Sequence, residues 1–259
     1  MIPNARATRP KTVLITGASS GIGRSLALEY ARGGAHVALV ARRKELLDEL
    51  GREVAKSGGT ALSLVADVTK QDTLFLAVDK AIAEFGSLDM VIANAGVGGK
   101  RRAPDITWDY AEGMIGANVT GAIATLTAAI PHMVARRAGH LVGVSSLAGI
   151  RGLPEHAMYS ASKAALSTFL QSIRIDLKAD HVSVTDVQPG FVTTAMTAKN
   201  NFHMPFIWSP EKAAGVIAAR LERSPAVIAF PWPLVAALRV ARMLPSTVYE
   251  RLVGLTVPR

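Results

Sequence analysis

A short apolar run that ends in a glycine-rich turn and opens directly onto a helical stretch constrains this chain more than any other feature. Val13-Leu14-Ile15-Thr16 is too brief for a helix and reads as a buried strand. Gly17-Ala18-Ser19-Ser20-Gly21-Ile22-Gly23 follows, and a helical pattern runs over Arg24–Arg32. Strand, glycine turn and helix form the context in which such spacing carries chemistry. Small residues let the backbone approach a pyrophosphate, and the helix start offers unpaired N–H groups and a favourable dipole. The order here is G-x-x-x-G-x-G rather than G-x-G-x-x-G. A glycine turn alone is weak evidence, because tight turns need glycine anyway.

The same alternation continues along the chain. Further strands are expected at His36–Ala41, Ala61–Ala66, Leu88–Ala93, Leu141–Ser145, Val182–Val187 and Ala226–Phe230. Helices are expected over Lys44–Lys56, from near Lys70, over Thr107–Arg137 and over His156–Ala179. Another begins at Ser209-Pro210-Glu211, a cap followed by proline at the first position, and runs to about Arg223. Strands separated by helices imply right-handed crossovers. The expected fold is α/β: one Rossmann-type, doubly wound parallel sheet of about seven strands, flanked by helices and followed by an apolar helical tail. A length of 259 residues suits a single domain, with its core at 11–195 and a substrate loop and tail at 196–259.

Composition narrows the function classes. There is no cysteine, which excludes disulfides and thiolate metal sites, and no metal centre is expected. No signal-like apolar segment precedes the first strand, and no run of about 18 apolar residues suggests a spanning helix. A cytoplasmic setting is therefore expected. The net charge of +9 is spread along the chain, with short clusters at Arg42–Lys44 and Lys100–Arg102. Without a stacking or groove-reading motif, nucleic acid is not an expected partner.

Ligands of such sheets bind beyond the carboxyl ends of the strands, and the notable polar residues fall there. An acid at the end of the second strand would hold the ribose hydroxyl of NAD. The chain has Ala41-Arg42-Arg43-Lys44 instead, which suits a 2′-phosphate. NADP(H) is the expected cofactor, gripped mainly by Arg42, with NAD(H) as the alternative; Arg43 and Lys44 also read as solvated residues at a helix start. Asp67 follows the third strand, placed to accept from an adenine amino group or to cap the next helix. Asn94-Ala95-Gly96 closes the fourth, Ser146 the fifth, and Pro189-Gly190 the sixth. Tyr159 and Lys163, four residues apart, share a helix face one turn apart. A nearby ammonium favours the phenolate of a tyrosine whose free pKa is about 10, by roughly one to three units. Ser146 could reach the same substrate oxygen. Tyr-x-x-x-Lys alone also describes an ordinary half-exposed helix face, and Asn118, inside the long helix, an ordinary packing residue.

Taken in order, Thr16-Gly17-x-x-x-Gly21-x-Gly23, Asp67, Asn94-Ala95-Gly96, Asn118, Ser146, Tyr159-x-x-x-Lys163 and Pro189-Gly190 resemble the short-chain dehydrogenase/reductase family over residues 11–195. The resemblance implies a catalytic set of Asn118, Ser146, Tyr159 and Lys163. Tyr159 is then the acid/base, and Ser146 polarises the substrate oxygen. Lys163 lowers the Tyr159 pKa and holds the nicotinamide ribose, while Asn118 supports a water relay to Lys163. Cofactor contacts are implied for Gly17, Ser19, Ser20, Gly21, Ile22, Gly23, Asp67, Val68, Asn94, Ala95, Gly96, Tyr159, Lys163, Pro189, Gly190, Val192 and Thr194. A homodimer or homotetramer is also implied. Ala93 stands where many members have a second asparagine. The implied activity is an NADP(H)-dependent alcohol dehydrogenase or carbonyl reductase; the alternative is a catalytically idle, cofactor-binding regulatory or scaffold member.

The end of the chain departs more from that pattern. Phe230-Pro231-Trp232-Pro233 and the apolar helix after it resemble, loosely, hydroxysteroid and retinol dehydrogenases. Phe191, Met196, Phe202, Met204, Phe206 and Trp208 could form an apolar lid, which points to a lipophilic substrate. Core, subunit contact or pocket wall are the expected uses of the tail, ahead of a membrane surface.

Overall fold

The computed structural model describes residues 9–199 and 204–254. Seven strands form one fully parallel sheet: β1 (Thr12–Thr16), β2 (His36–Ala41), β3 (Thr60–Val65), β4 (Met90–Ala93), β5 (Gly139–Val144), β6 (Val182–Pro189) and β7 (Val227–Phe230). Their order is β3-β2-β1-β4-β5-β6-β7. The order reverses between β1 and β4, where Val13 lies opposite Met90, and that crevice is where ligands of such sheets sit.

Helices α1 (Gly21–Arg32), α2 (Lys44–Lys56), α3 (Gln71–Phe85), α4 (Trp108–Ile115), α5 (Gly121–Arg136), α6 (Ala157–Asp176) and α7 (Pro210–Leu221) connect the strands. The β1 sequence TVLIT is buried throughout, as a run covered on both faces must be. One side of the sheet buries Val13, Ile15, Val37 and Leu39 against α1, α2 and α7; the other buries Leu14, Val91, Leu141 and Val184 against α3, α5 and α6. Helix α2 shows how the pattern works, burying Leu47, Leu50 and Val54 while Lys44 pairs with Asp48 outside. Lys44 is thus a surface pair, as its place at a helix start allows. Ser209 caps α7 by accepting from the Lys212 N–H at 3.2 Å, with Pro210 at the first position.

The expected long helix over Thr107–Arg137 is interrupted. Thr107 caps α4, and between α4 and α5 the chain makes a π-helical turn over Gly116–Thr120, centred on Asn118. A π-turn carries one extra residue per turn and so reorients the side chains on it. Pro131 stays inside α5. By length and composition the continuous stretch Trp108–Arg136 could cross a membrane. Here it covers the sheet, with Ala122, Leu126, Ala129 and Met133 in the core.

After β7 the tail forms α8 (Trp232–Met243) and α9 (Ser246–Gly254). Helix α8 begins against Gly190, where an added Cβ would come 2.9 Å from Pro231 Cδ and 3.2 Å from Leu234 Cδ1. Arg151 then binds the tail to the loop after β5. Its guanidinium donates to the carbonyls of Ala241 and Leu244 at the end of α8 and lies 4.0 Å from the Tyr249 ring centroid. The Tyr249 hydroxyl in turn donates to the Gly152 carbonyl at 2.6 Å.

Candidate active site

The glycine turn is built against the end of β4. Gly17 and Gly21 adopt φ of +67° and +57°, which a side chain would strain. A Cβ on Gly17 would lie 2.8 Å from Ala95 Cα, so the two strand ends meet without side chains between them. The Thr16 hydroxyl accepts from the N–H groups of Asn94 and Ala95, and the Asn94 amide donates to the Thr16 carbonyl at 3.0 Å. Asn94 therefore braces the turn. Ser20 precedes α1 with no side-chain bond to the helix N–H groups, so the turn and the helix start form an anion cradle.

Around this cradle the sequence candidates divide. The Ser19 hydroxyl accepts from Arg43 Nη2 at 2.9 Å. Arg42 is largely exposed, with Nη1 4.0 Å from Asp67 Oδ2. The Asp67 Oδ1 atom accepts from the Thr69 N–H and hydroxyl, which hold its carboxylate below the usual range, helped by Arg42. Ile22 and Val68 are partly buried against the two core faces. Val192 is buried in the core cluster and joined to Trp208 as an isolated bridge. Thr194 Cγ2 stands 2.9 Å from where Gly21 would carry a Cβ, placing Thr194 directly across the glycine turn.

The second cluster forms where β5 and α6 meet. Ser146, just past β5, accepts from the Ala148 N–H at 3.1 Å and donates to the Pro189 carbonyl at 3.4 Å. Tyr159 and Lys163 project from the first two turns of α6, with Lys163 Nζ 5.9 Å from the Tyr159 ring centroid. The ammonium donates to the Val144 carbonyl at 2.9 Å. Burial pushes the Tyr159 phenol up, and its hydrogen bond with Ser146 opposes that rise. The expected lowering by Lys163 does not emerge: withdrawal from water is the largest influence on the phenol, and the group that opposes it is Ser146. Burial lowers Lys163 itself to about 8, against the charge of Asp186.

Asn118 links the two clusters. Fully buried at the π-turn, its Oδ1 accepts from the Val97 N–H at 2.7 Å. Its Nδ2 donates to the Val97 carbonyl at 2.9 Å and to the Ser162 hydroxyl at 3.0 Å. A Cβ on Gly96 would lie 2.9 Å from Asn118 Oδ1 and 3.4 Å from Lys163 Nζ, so both atoms flank that glycine. Sequence reasoning missed Ser162, Ser145, Asp186 and the reach of Arg43 to Ser19. Ser162 had a signal, lying one residue before Lys163 on α6; the others depend on strand register and side-chain reach.

The apolar lid is only partly as expected. Trp208 stacks on Phe230, centroids 4.7 Å apart, and packs partly buried against the core rather than standing free as a lid. Met196 lies across Gly98, and Phe206 is exposed. Phe202 lies outside the described residues. No group of three or more metal-ligating side chains occurs among the described residues.

The donor set fits a dinucleotide: a glycine cradle at a helix start, arginines at the end of β2, and Ser146, Tyr159 and Lys163 beyond the carboxyl end of β5. Residues 11–204 match the family described as short chain dehydrogenase. An uncharacterized oxidoreductase of Myxococcus xanthus is 48% identical over 240 residues, covering 93% of this chain and 95% of that one. An alcohol dehydrogenase of the archaeon Thermococcus sibiricus, complexed with 5-hydroxy-NADP, superposes with a TM-score of 0.77 at 26% identity over 85% of this chain and 94% of that one. A short chain dehydrogenase of Mycobacterium paratuberculosis bound to NAD gives the same TM-score and identity, over 85% and 95%. The chain belongs to the short-chain dehydrogenase family and is an oxidoreductase of that type.

Proposed function

We propose that this oxidoreductase is an NADP(H)-dependent alcohol dehydrogenase or carbonyl reductase that acts on lipophilic substrates. The observation that carries the reading is the convergence of Ser146, Tyr159 and Lys163 on the sheet edge that also holds the glycine turn. When bound, the dinucleotide supplies or accepts hydride at its nicotinamide.

The chain's own residues do the rest. Ser146 and Tyr159 hold the substrate oxygen between two hydroxyls, fixing the carbon to be reduced or oxidised. In reduction the Tyr159 phenol gives its proton to that oxygen; in oxidation the phenolate takes it back. Lys163 stabilises the phenolate by its charge and holds the nicotinamide ribose, while Asn118 keeps the Gly96–Val97 backbone and α6 in register and supports a water relay. The turn from Gly17 to Gly23 would hold the pyrophosphate with Ser19, Ser20 and Ile22. Asp67 and Val68 would meet adenine, and Asn94, Ala95, Gly96, Pro189, Gly190, Val192 and Thr194 would line the remainder.

Preference for the 2′-phosphate rests on Arg42 and Arg43. The two structural relatives carry different dinucleotides on the same fold, and the arginines at the end of β2 are what support the 2′-phosphate here. The lipophilic substrate is supported by Met196, Phe206 and the tail helix seated on the loop after Ser146. Assembly as a homodimer or homotetramer goes with this reading, and analytical ultracentrifugation measures it. The functional test is NADPH oxidation against ketones and aldehydes of graded chain length. Turnover that vanishes in Tyr159→Phe is the expected result; no turnover with any carbonyl, in either direction, sends the reading to the idle alternative.

A further inference from the structure

Asp186 lies in the middle of β6 and is 3% exposed. Two residues earlier, Val184 packs in the core beneath α6, so an apolar side chain is expected at 186 as well. Opposite it on β5 stands Gly143, where an added Cβ would meet Leu170 of α6 at 2.5 Å. The helix therefore passes close over the sheet at this point. A buried carboxylate is costly unless other groups compensate it, and here they do. Ser145, the neighbour of Ser146, donates its hydroxyl to Asp186 Oδ1, and Gln188 Nε2 donates to Oδ2 at 2.7 Å. From α6, Lys163 and Arg174, three turns apart, both feel its charge.

We propose that Asp186 is a positioning residue for the site: its carboxylate is the counter-charge of Lys163, and its bond to Ser145 fixes the strand end that delivers Ser146. The proposal rests on the acid–base reading given above. The groups facing Lys163 are Tyr159 on its own helix, Asn118 on the π-turn, the Val144 carbonyl of β5, and the charge of Asp186 from β6. Asp186 is the one carboxylate among these. Facing Asp186 are Ser145, Gln188, Lys163 and Arg174; the Arg174 Nε and Nη2 donate to the Val184 and Ala226 carbonyls at 2.8 Å. His140 is bonded to Thr185 on the other face of the sheet. Lys163 titrates at about 8, with burial lowering and Asp186 raising it. Neutralising Asp186 leaves burial unopposed, and the ammonium is lost at lower pH.

The test needs no turnover. The Lys163 side-chain NMR signal, from chain labelled with ¹³C-lysine and assigned with Lys163→Met, is titrated in the parent, in Asp186→Asn and in Ser145→Ala. In Asp186→Asn the Lys163 midpoint falls by on the order of one pH unit, while Ser145→Ala, which keeps the carboxylate, leaves it higher than in Asp186→Asn. The alkaline limb of kcat for carbonyl reduction moves down with the midpoint. An unmoved midpoint in Asp186→Asn overturns the proposal whether or not the protein reduces carbonyls. A shifted midpoint in a protein without turnover retains the counter-charge and removes only the catalytic reading. Asp186→Ser, smaller and also neutral, is measured alongside. If neither neutral variant folds while Ser145→Ala does, Asp186 is a folding residue and the proposal fails.

Discussion

Lys163 gives its ammonium hydrogen bond to the Val144 carbonyl at 2.9 Å, while the Tyr159 ring centroid lies 5.9 Å away. The lysine is thus anchored to the strand that leads to Ser146, one helical turn from the tyrosine. Helix spacing alone brings Tyr159 and Lys163 to one face. The strand carbonyl then fixes how far the charge stands from the phenol.

Separate roles follow for the two residues. Tyr159→Phe removes the transferable proton and leaves the ammonium in place. Turnover is expected to fall by about a hundred-fold or more, with NADPH affinity, measured by fluorescence titration, within roughly a few-fold of the parent. Lys163→Ala is expected to lower both, because in the proposed mechanism one charge serves phenolate and ribose. Unchanged cofactor affinity in that variant restricts the lysine to the proton step.

The proposed preference for NADP(H) is assigned to two arginines. Arg42 is exposed near Asp67, and Arg43 already reaches Ser19 in the glycine turn. A charge-assisted phosphate contact contributes about 1.5–3 kcal/mol, which is roughly ten- to a hundred-fold in affinity. Titrating NADPH and NADH against the parent, Arg42→Ala and Arg43→Ala is expected to show a preference for NADPH that shrinks in each variant. Equal affinity in the parent excludes both as specificity residues.

His140 makes stability depend on acid. Buried and bonded to Thr185 at 2.8 Å, it titrates at about 4 in the fold instead of its ordinary 6.5. Between those values the unfolded chain binds the extra proton, so stability from this group is present above pH 6.5 and is lost as pH falls toward 4. Thermal melts across that window are expected to show a smaller acid-induced drop in His140→Gln than in the parent. Parallel profiles for the two proteins contradict the assignment.

The sheet was legible because each strand is a short apolar run punctuated by glycine, proline or a cap. The candidate site was legible because its residues sit where those runs stop. What escaped depends on groups brought together from separate strands and helices. The π-turn at Asn118 leaves no mark in an otherwise ordinary helical pattern, since its reason is the reach of one amide to Val97 and Ser162. Asp186 follows Val184 on a face where an apolar side chain is expected, and only strand register puts Ser145 beside it. Trp208 looked like lid from its surroundings in sequence and packs partly buried against the core, because Phe230 from β7 lies beneath it.

The tail predicts how substrate size is read. Arg151 ties α8 and α9 to the loop after Ser146, while Pro231 and Leu234 press on Gly190. In the proposed reading, a substrate held at Ser146 and Tyr159 extends past these residues toward Met196 and Phe206, which are apolar and partly open to solvent. Each buried methylene gains about 0.8 kcal/mol, or about four-fold in kcat/KM while the wall stays in contact. Across a series of straight-chain and cyclic ketones, kcat/KM is therefore expected to rise with apolar size. Arg151→Ala should flatten that slope by loosening the tail, with little change in kcat for the smallest ketone, whose reacting groups the variant leaves in place. A flat profile in the parent, or best turnover on a sugar or charged substrate, assigns the tail to subunit contact or core. A steep profile unchanged in Arg151→Ala leaves Met196 and Phe206 as the wall and removes the tail from it.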